Sequence, residues 1–206
     1  MLRPAEVVFS FLAFLSFGLH ITGISTTEWW KLTDEFPNGT IESTSFGLWW
    51  TRTCRDDVCS VSSRNLSGEL AWLLGVAAIE AVSAALYALS LPVAILLIYR
   101  GIRDLNVDVI KKLYVVVLSG AGAVIIVGIV LFVKKKAGLT ERFAMATKDG
   151  VPGWSLALSS TGGALGILAG VAMGFSLLCR TKEYEDDDHH TEKPHEYWHQ
   201  KHKEVN

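Results

Sequence analysis

Two cysteines, Cys54 and Cys59, are separated by only four residues. If they are bonded, the disulfide closes a very short loop, and the chain-entropy treatment then predicts a stabilisation of about 2 kcal/mol. The residues from Ile41 to Trp50 favour a strand, and residues 55–58 favour a turn. An exposed two-stranded ribbon is marginal alone, so we expect the disulfide to pin it. The alternative, two free thiols, applies in a reducing compartment.

His20 and Glu80 are ionisable residues within or beside long apolar runs. An ionisable group inside a membrane is costly unless it is paired or close to water. At 1.5 Å per residue, both residues are expected about one helical turn below the same membrane surface. Two arrangements follow: a His20–Glu80 contact inside a helix bundle, or a Glu80 side chain that snorkels to water.

Other chemistry has little support in the sequence. It has no glycine-rich phosphate loop after a strand, no Gly-x-Ser-x-Gly motif and no Glu-flanked histidine pair on a membrane helix. His195, His199 and His202 are compatible with a metal site, but the polar surroundings and Pro194 favour a disordered tail. The net charge of -2 gives no indication of nucleic-acid binding. We therefore expect no catalytic residue, metal or cofactor.

The elements that must position these residues are four apolar runs without Asp, Glu, Lys or Arg. Uncharged runs of 18 or more residues predict membrane-spanning helices. The expected spans are about 5–25, 76–99, 113–133 and 154–178. The first run also resembles a signal peptide, but Glu6 and the lack of a clean cleavage site favour its retention as a span.

The residues of the connection 26–75 indicate how the spans are oriented across the membrane. It contains two glycosylation acceptors, Asn38 and Asn65, besides the cysteine pair. Glycans and disulfides belong to the outside of the cell. We therefore expect loops 26–75 and 134–153 to be extracellular, and loop 100–112 and both termini to be cytoplasmic. The basic residues alone barely decide the direction, since they follow both span 2 and span 3.

Span 4 carries glycines at every fourth position, which places them on one helix face. Small residues at this spacing let helices approach closely, either between molecules or inside one bundle. We favour packing inside the bundle, because any compact bundle needs such a seam. These residues are Gly162, Gly166, Gly170 and Gly174.

Cys179 ends span 4 and is followed by a polar tail, 180–206, that we expect to be disordered. A cysteine at the inner membrane boundary is a candidate for palmitoylation. The alternative is a small buried apolar residue. Residues 1–179 then form a single four-span domain.

Several of these residues together resemble the motif of the claudins and their relatives, which is W…GLW…C…C. The superfamily includes the peripheral myelin protein, the epithelial membrane proteins, the lens fibre membrane intrinsic protein and the calcium-channel gamma subunits. The resemblance extends over all four spans, including the segments 24–30, 154–158 and 168–171. The motif residues here are Trp30, Gly47, Leu48, Trp49, Cys54 and Cys59.

The resemblance implies a left-handed four-helix bundle with a small antiparallel extracellular sheet, built mostly from the first loop with one strand from the second. It also implies that Gly47-Leu48-Trp49 packs at the outer membrane surface. Indole rings prefer that interface, so we expect Trp49 to act as an anchor. Trp29, Trp30, Trp50 and Trp154 are candidates for the same belt.

The implied function is that of a non-enzymatic plasma-membrane protein of cell–cell contacts, including tight junctions. It would associate with itself within one membrane and across two membranes, giving adhesion or a paracellular barrier. The alternatives are an auxiliary gamma-type subunit of an ion channel or receptor, and a myelin-type organiser of membranes. The chain departs from the claudins in its short cysteine spacing, in Glu80 where they carry a basic residue, and in the ending Val205-Asn206, which lacks a PDZ-binding C-terminus.

Overall fold

Four long helices dominate the structure, a computed structural model that describes residues 4–36, 39–56, 58–63, 71–102, 108–135 and 150–191. Each helix contains a stretch long and apolar enough to cross a membrane. Only 28% to 33% of the residues in these stretches are buried inside the chain, which leaves apolar surface for lipid. The fold therefore has the length and composition of the mainly α-helical, multi-pass membrane protein that was predicted. The helices are α1 (Pro4–Ser25), α2 (Ala71–Ile102), α3 (Asp108–Lys135) and α4 (Trp154–Thr191).

The helices are longer than the uncharged runs that predicted them. Helix α2 begins at Ala71 rather than at residue 76, and α3 begins at Asp108 rather than at 113. Charge marks where lipid ends, whereas backbone hydrogen bonds decide where a helix ends. Helix α4 likewise continues to Thr191, through residues 180–191 of the segment predicted as a disordered tail. That segment contains Glu and Lys, which favour helix even in water. Residues 192–206 lie outside the described part of the chain.

A five-stranded antiparallel sheet lies at one end of the bundle, as predicted. The connection between α1 and α2 contributes four strands, and the connection between α3 and α4 contributes the fifth. The strand order is β4-β3-β2-β1-β5, so each of the first four strands pairs with its sequence neighbour. The strands are β1 (Trp30–Glu35), β2 (Ile41–Phe46), β3 (Trp50–Arg55), β4 (Val58–Ser63) and β5 (Val151–Pro152).

Backbone and serine contacts join the sheet to the bundle. The segment between α1 and β1 meets the first turn of α4, where Ser155 N–H donates to the Glu28 carbonyl at 3.1 Å. Thr26 Oγ1 donates to Ser155 Oγ at 2.6 Å, and Glu28 N–H donates to the same oxygen at 3.2 Å. Beside them, Gly153 N–H donates to the Trp29 carbonyl at 3.1 Å. The first strand is therefore fixed to the start of the fourth helix.

The interior of the bundle is divided into three levels. The core nearest the sheet is apolar and joins residues of α1, α2, α3, α4, β1 and β2, including Trp29, Leu73 and Phe132. A second apolar core, which includes Tyr114 and Ile125, lies towards the other end. Between them, buried polar side chains from three helices form what we call the polar layer: Ser16, His20, Glu80, Ser83, Tyr87 and Ser159.

Candidate functional site

The ribbon formed by β3 and β4 is closed by the predicted disulfide between Cys54 and Cys59. The two residues are direct cross-strand partners, and Arg55 pairs with Val58 beyond them. The turn that follows Arg55 begins at Asp56, whose φ of 46° lies in the left-handed region. Aspartate tolerates that region better than most residues, so the chain reverses within two positions.

Two arginine side chains of this ribbon contact neighbouring side chains. Arg55 donates from Nε and Nη2 to Glu42 Oε2, at 3.1 and 2.6 Å. Its guanidinium also lies 5.6 Å from the centre of the Phe36 ring. Arg52 points its Nη2 at Cys59 Sγ, at 3.4 Å. These contacts hold the basic side chains along the sheet surface.

The outermost strand, β4, is exposed along its whole length. Two of its apolar side chains, Val58 and Val61, are 76% and 61% exposed. In the described part of the chain β4 has one neighbour, β3, and its other edge is open. An edge strand with exposed valines offers both backbone groups and apolar surface to a partner.

The Gly-Leu-Trp segment lies between β2 and β3, where the chain folds over the end of α1. A Cβ atom on Gly47 would overlap the Thr26 carbonyl oxygen and lie 2.8 Å from Thr27 Cα, so only glycine fits. Leu48 is fully buried in the core beneath the sheet. Trp49 is 36% exposed. The three residues therefore combine a close backbone approach, an apolar anchor and a partly exposed ring.

The tryptophans divide into two groups, which corrects the expectation of a shared belt. Trp50 and Trp154 are 45% and 48% exposed, as a membrane-surface position requires, whereas Trp29 and Trp30 belong to the core beneath the sheet. Burial of Trp29 leaves no polar atom unpaired, because its indole N–H donates to the Gly23 carbonyl at 2.9 Å. Its ring also meets Phe132 edge-on, at 5.2 Å between centroids. An indole with an internal partner has no need of water.

The polar layer brings His20 and Glu80 together. His20 Nδ1 lies 3.7 Å from Glu80 Oε2, and both side chains are fully buried. The same imidazole contacts Ser159 Oγ at 2.9 Å through Nδ1 and Ser83 Oγ at 2.8 Å through Nε2. Glu80 therefore faces the inside of the bundle, and the alternative of a side chain that snorkels to water does not describe it.

Ser16 and Tyr87 extend the polar layer away from the sheet. Ser16 Oγ donates to the Gly162 carbonyl and lies 2.8 Å from the Tyr87 hydroxyl. Sequence reasoning missed four residues of the layer: Ser16, Ser83, Tyr87 and Ser159. The available signal was their spacing, since Ser16 and His20, like Ser83 and Tyr87, are four apart and share a helix face.

The four glycines of α4 face several helices of the same chain. A Cβ atom on Gly162 would lie 2.8 Å from the Ser16 carbonyl oxygen on α1. One on Gly166 would overlap the Tyr87 hydroxyl on α2, and one on Gly170 would overlap Ser119 Oγ on α3. Gly174 faces Val115, also on α3, at 3.3 Å. Four residues exceed one turn of 3.6, so the stripe drifts from α1 and α2 towards α3.

Some predicted site residues lie outside what the structure describes. Asn38 and Asn65 are outside the described residues. Cys179 belongs to α4, but its side chain is outside the description. Glycosylation and palmitoylation therefore stay predictions.

Comparison with known proteins adds no relative to these findings. No model of a protein family matches the chain, and no curated protein matches it. What supports a function is therefore the geometry of the sheet and of the bundle, together with the resemblance of the motif.

Proposed function

We propose that this chain is a claudin-like membrane protein of cell–cell contacts, with a left-handed bundle and both termini in the cytoplasm. It resides in the plasma membrane with the sheet outside, and it is not an enzyme. Copies associate side by side in one membrane and, through the sheet, with copies on a neighbouring cell. The result is adhesion or a paracellular barrier.

The observation that carries this proposal is an exposed edge strand, β4, in a sheet that is anchored to the bundle at its opposite side. Strand β4 presents Val58 and Val61 to solvent and has an open edge among the described residues. An unprotected strand edge is a template for pairing with another chain, and natural proteins normally blunt such edges. An edge left open on a ribbon closed by a disulfide favours a contact function.

The support is rigid because the sheet is anchored at its opposite side. Strand β1 carries Trp30 and Leu32 into the core beneath the sheet, and β5 pairs with β1 from the second connection. A partner that docks on β4 therefore meets a preorganised surface, which lowers the entropy lost on association.

The chemistry of the first connection supports the proposal that the sheet lies outside the cell. A disulfide between Cys54 and Cys59 persists in an oxidising compartment and is rare in the cytosol. The acceptor asparagines 38 and 65 belong to the same connection. Both features agree with a sheet outside the cell.

The test is localisation in a mixed culture of expressing and non-expressing adherent cells that lack junction strands. We expect the wild type to concentrate only at borders between two expressing cells. A Val58→Glu, Val61→Glu variant should reach the surface but lose this enrichment, because it places charge on the exposed edge. Thr33→Glu, at an exposed position of β1, is the matched control and should behave like the wild type.

Uniform surface staining of the wild type would contradict a contact function. The remaining proposal would then be the auxiliary subunit of a channel or receptor, which requires co-purification with that partner. Enrichment that survives the double valine substitution would place the contact on another part of the sheet.

A further inference from the structure

Glu80 is the only carboxyl group in the four membrane-spanning stretches, and it is fully buried. Neither of its carboxyl oxygens has a hydrogen-bond partner among the described residues. On α3 it faces Gly128, where a Cβ atom would overlap Oε1. The absence of a side chain at Gly128 therefore makes room for the carboxyl group inside the bundle.

The hydrogen bonds around His20 define which ring nitrogen carries hydrogen. Ser83 Oγ donates to the Glu80 carbonyl at 2.7 Å, so its single hydrogen is already used. His20 Nε2, at 2.8 Å, must then donate to Ser83 Oγ, and its distance of 3.3 Å to the same carbonyl agrees with an N–H. In the neutral ring, Nδ1 is consequently the acceptor, and Ser159 donates to it at 2.9 Å.

This arrangement leaves a carboxyl group opposite a nitrogen lone pair. An ionised Glu80 would place its charge 3.7 Å from that lone pair, with no hydrogen-bond donor among the described residues. An uncompensated charge inside a membrane protein is strongly unfavourable. One proton removes the conflict, because it neutralises the carboxyl group. It also gives Oε2 a hydrogen that, after a small approach, shares the Nδ1 lone pair with the Ser159 hydroxyl.

We propose that Glu80 and His20 form a binding site for a single proton inside the bundle. The proton rests on Glu80 and faces His20 Nδ1, since a neutral pair avoids burying two charges. Transfer moves the proton from Oε2 to Nδ1 and leaves a carboxylate beside an imidazolium. The Ser159 hydroxyl then turns from donor to acceptor, so α1, α2 and α4 all respond to the position of the proton.

The surroundings of the pair contain few other groups that exchange protons. On α1, His20 is the only ionisable residue between Val7 and Ser25, and α4 has none between Trp154 and Leu178. Helix α3 presents Gly128 to the carboxyl group, and Tyr114 lies in the other core. The other ionisable residues of the α3 stretch lie near its two ends: Lys111, Lys112, Lys134 and Lys135. On α2, Tyr87 is 6.1 Å from His20 between ring centres. The proton therefore belongs to one defined pair.

The test uses the full-length protein in lipid vesicles at neutral pH, where exposed carboxyl groups are ionised. We expect an infrared carbonyl stretch of a protonated carboxyl group, lost completely in Glu80→Gln. A hydrophobic carbodiimide should label the same residue: the acid adds across one C=N bond, and the O-acylisourea rearranges to a stable N-acylurea that mass spectrometry locates. Glu42→Gln, the same change on the sheet, is the control and should retain both signals.

His20→Phe tests the partner of the proton. The carbonyl stretch should persist but shift to the position of an acid without a nitrogen acceptor. A wild-type spectrum without a protonated carboxyl band would overturn the proposal whatever the labelling shows. An unshifted band in His20→Phe would exclude His20 as the partner. Because the wild-type spectrum is decisive by itself, the test survives poor folding of a variant.

Discussion

The sheet and the interior of the bundle are stabilised in opposite ways. In the sheet, partners are close in sequence: the disulfide joins residues five apart, and each of the first four strands pairs with its neighbour. In the interior, the polar contacts join residues that are far apart, such as Ser16 with Gly162 and His20 with Ser159, separated by 146 and 139 positions. The sheet therefore rests on local chemistry, and the bundle rests on the fit of distant helices.

The difference predicts how each region responds to substitution. Local contacts in the sheet are partly exposed to water, so the loss of one contact there should be small and confined to the ribbon. Interior contacts are shared among three helices, so the loss of one contact should destabilise more than one helix. Four substitutions, from the largest expected effect to the smallest, test this contrast.

Gly166→Leu should have the largest effect. The new side chain would overlap the Tyr87 hydroxyl and approach Ser16 Oγ, which lies 3.1 Å from the Cβ position. We expect a loss of about 3 kcal/mol or failure to fold, at the upper end of overpacking effects. The measurement is the yield and thermal unfolding of detergent-extracted protein. Gly120→Leu, with nothing within 4 Å of its Cβ position, should resemble the wild type.

Normal folding of Gly166→Leu with a loss of crosslinked oligomers would reverse this interpretation. The glycine stripe would then be a contact between molecules.

Replacing both cysteines with serine should weaken the ribbon by about 2 kcal/mol, the value for a loop of this size. Hydrogen exchange of β3 and β4 should accelerate, while the exchange of the helices stays unchanged because neither strand contributes a residue to the two apolar cores. The reduced wild type provides the control for the serine side chains. Faster exchange in the helices as well would show that the two regions are coupled.

Ser159→Ala should cost about 1 kcal/mol, within the range for hydrogen bonds between membrane helices. The substitution removes the donor to His20 Nδ1 and leaves a buried acceptor with one partner fewer. Thermal unfolding in detergent measures the loss. Ser160→Ala is the matched control, because that hydroxyl bonds the Ala157 carbonyl of its own helix at an exposed position. Equal effects of the two substitutions would argue against a special role for the polar layer.

Glu42→Ala should have the smallest effect, below about 1 kcal/mol, because its ion pair with Arg55 is largely exposed. The loss should be visible only in the exchange of β2 and β3, and it should disappear at high salt. Glu28→Ala makes the same change of charge away from Arg55 and serves as the control. A loss that persists at high salt would indicate packing of Arg55 on Phe36 instead.

The sequence predicted the features that depend on local patterns. Apolar runs predicted four spanning helices, and the short interval between Cys54 and Cys59 predicted a bonded hairpin, because both signals lie in neighbouring residues. Helices α2 and α3 begin several residues before the predicted spans, since charge reports the limits of lipid rather than of hydrogen bonding.

The features that depend on distant contacts were predicted less completely. The interface preference of indole rings made Trp29 a candidate for the membrane surface, but its partner, the Gly23 carbonyl, is defined only by the fold. The pairing of His20 with Glu80 was one of two arrangements, because depth in the membrane does not fix which way a side chain points. Ser83 and Ser159 were missed because a serine hydroxyl has no hydropathy signal strong enough to distinguish a buried layer from a lipid-facing surface.

The pairing of β5 with β1 has a consequence for biosynthesis. Val151 and Pro152 precede α4, whereas the other four strands precede α2. A ribosome that delivers the chain from its N-terminus releases those four strands first, so the β1 edge stays without its β5 partner until the third helix has been made. Closure of that edge therefore reports that synthesis has passed the third helix and has reached the start of the fourth.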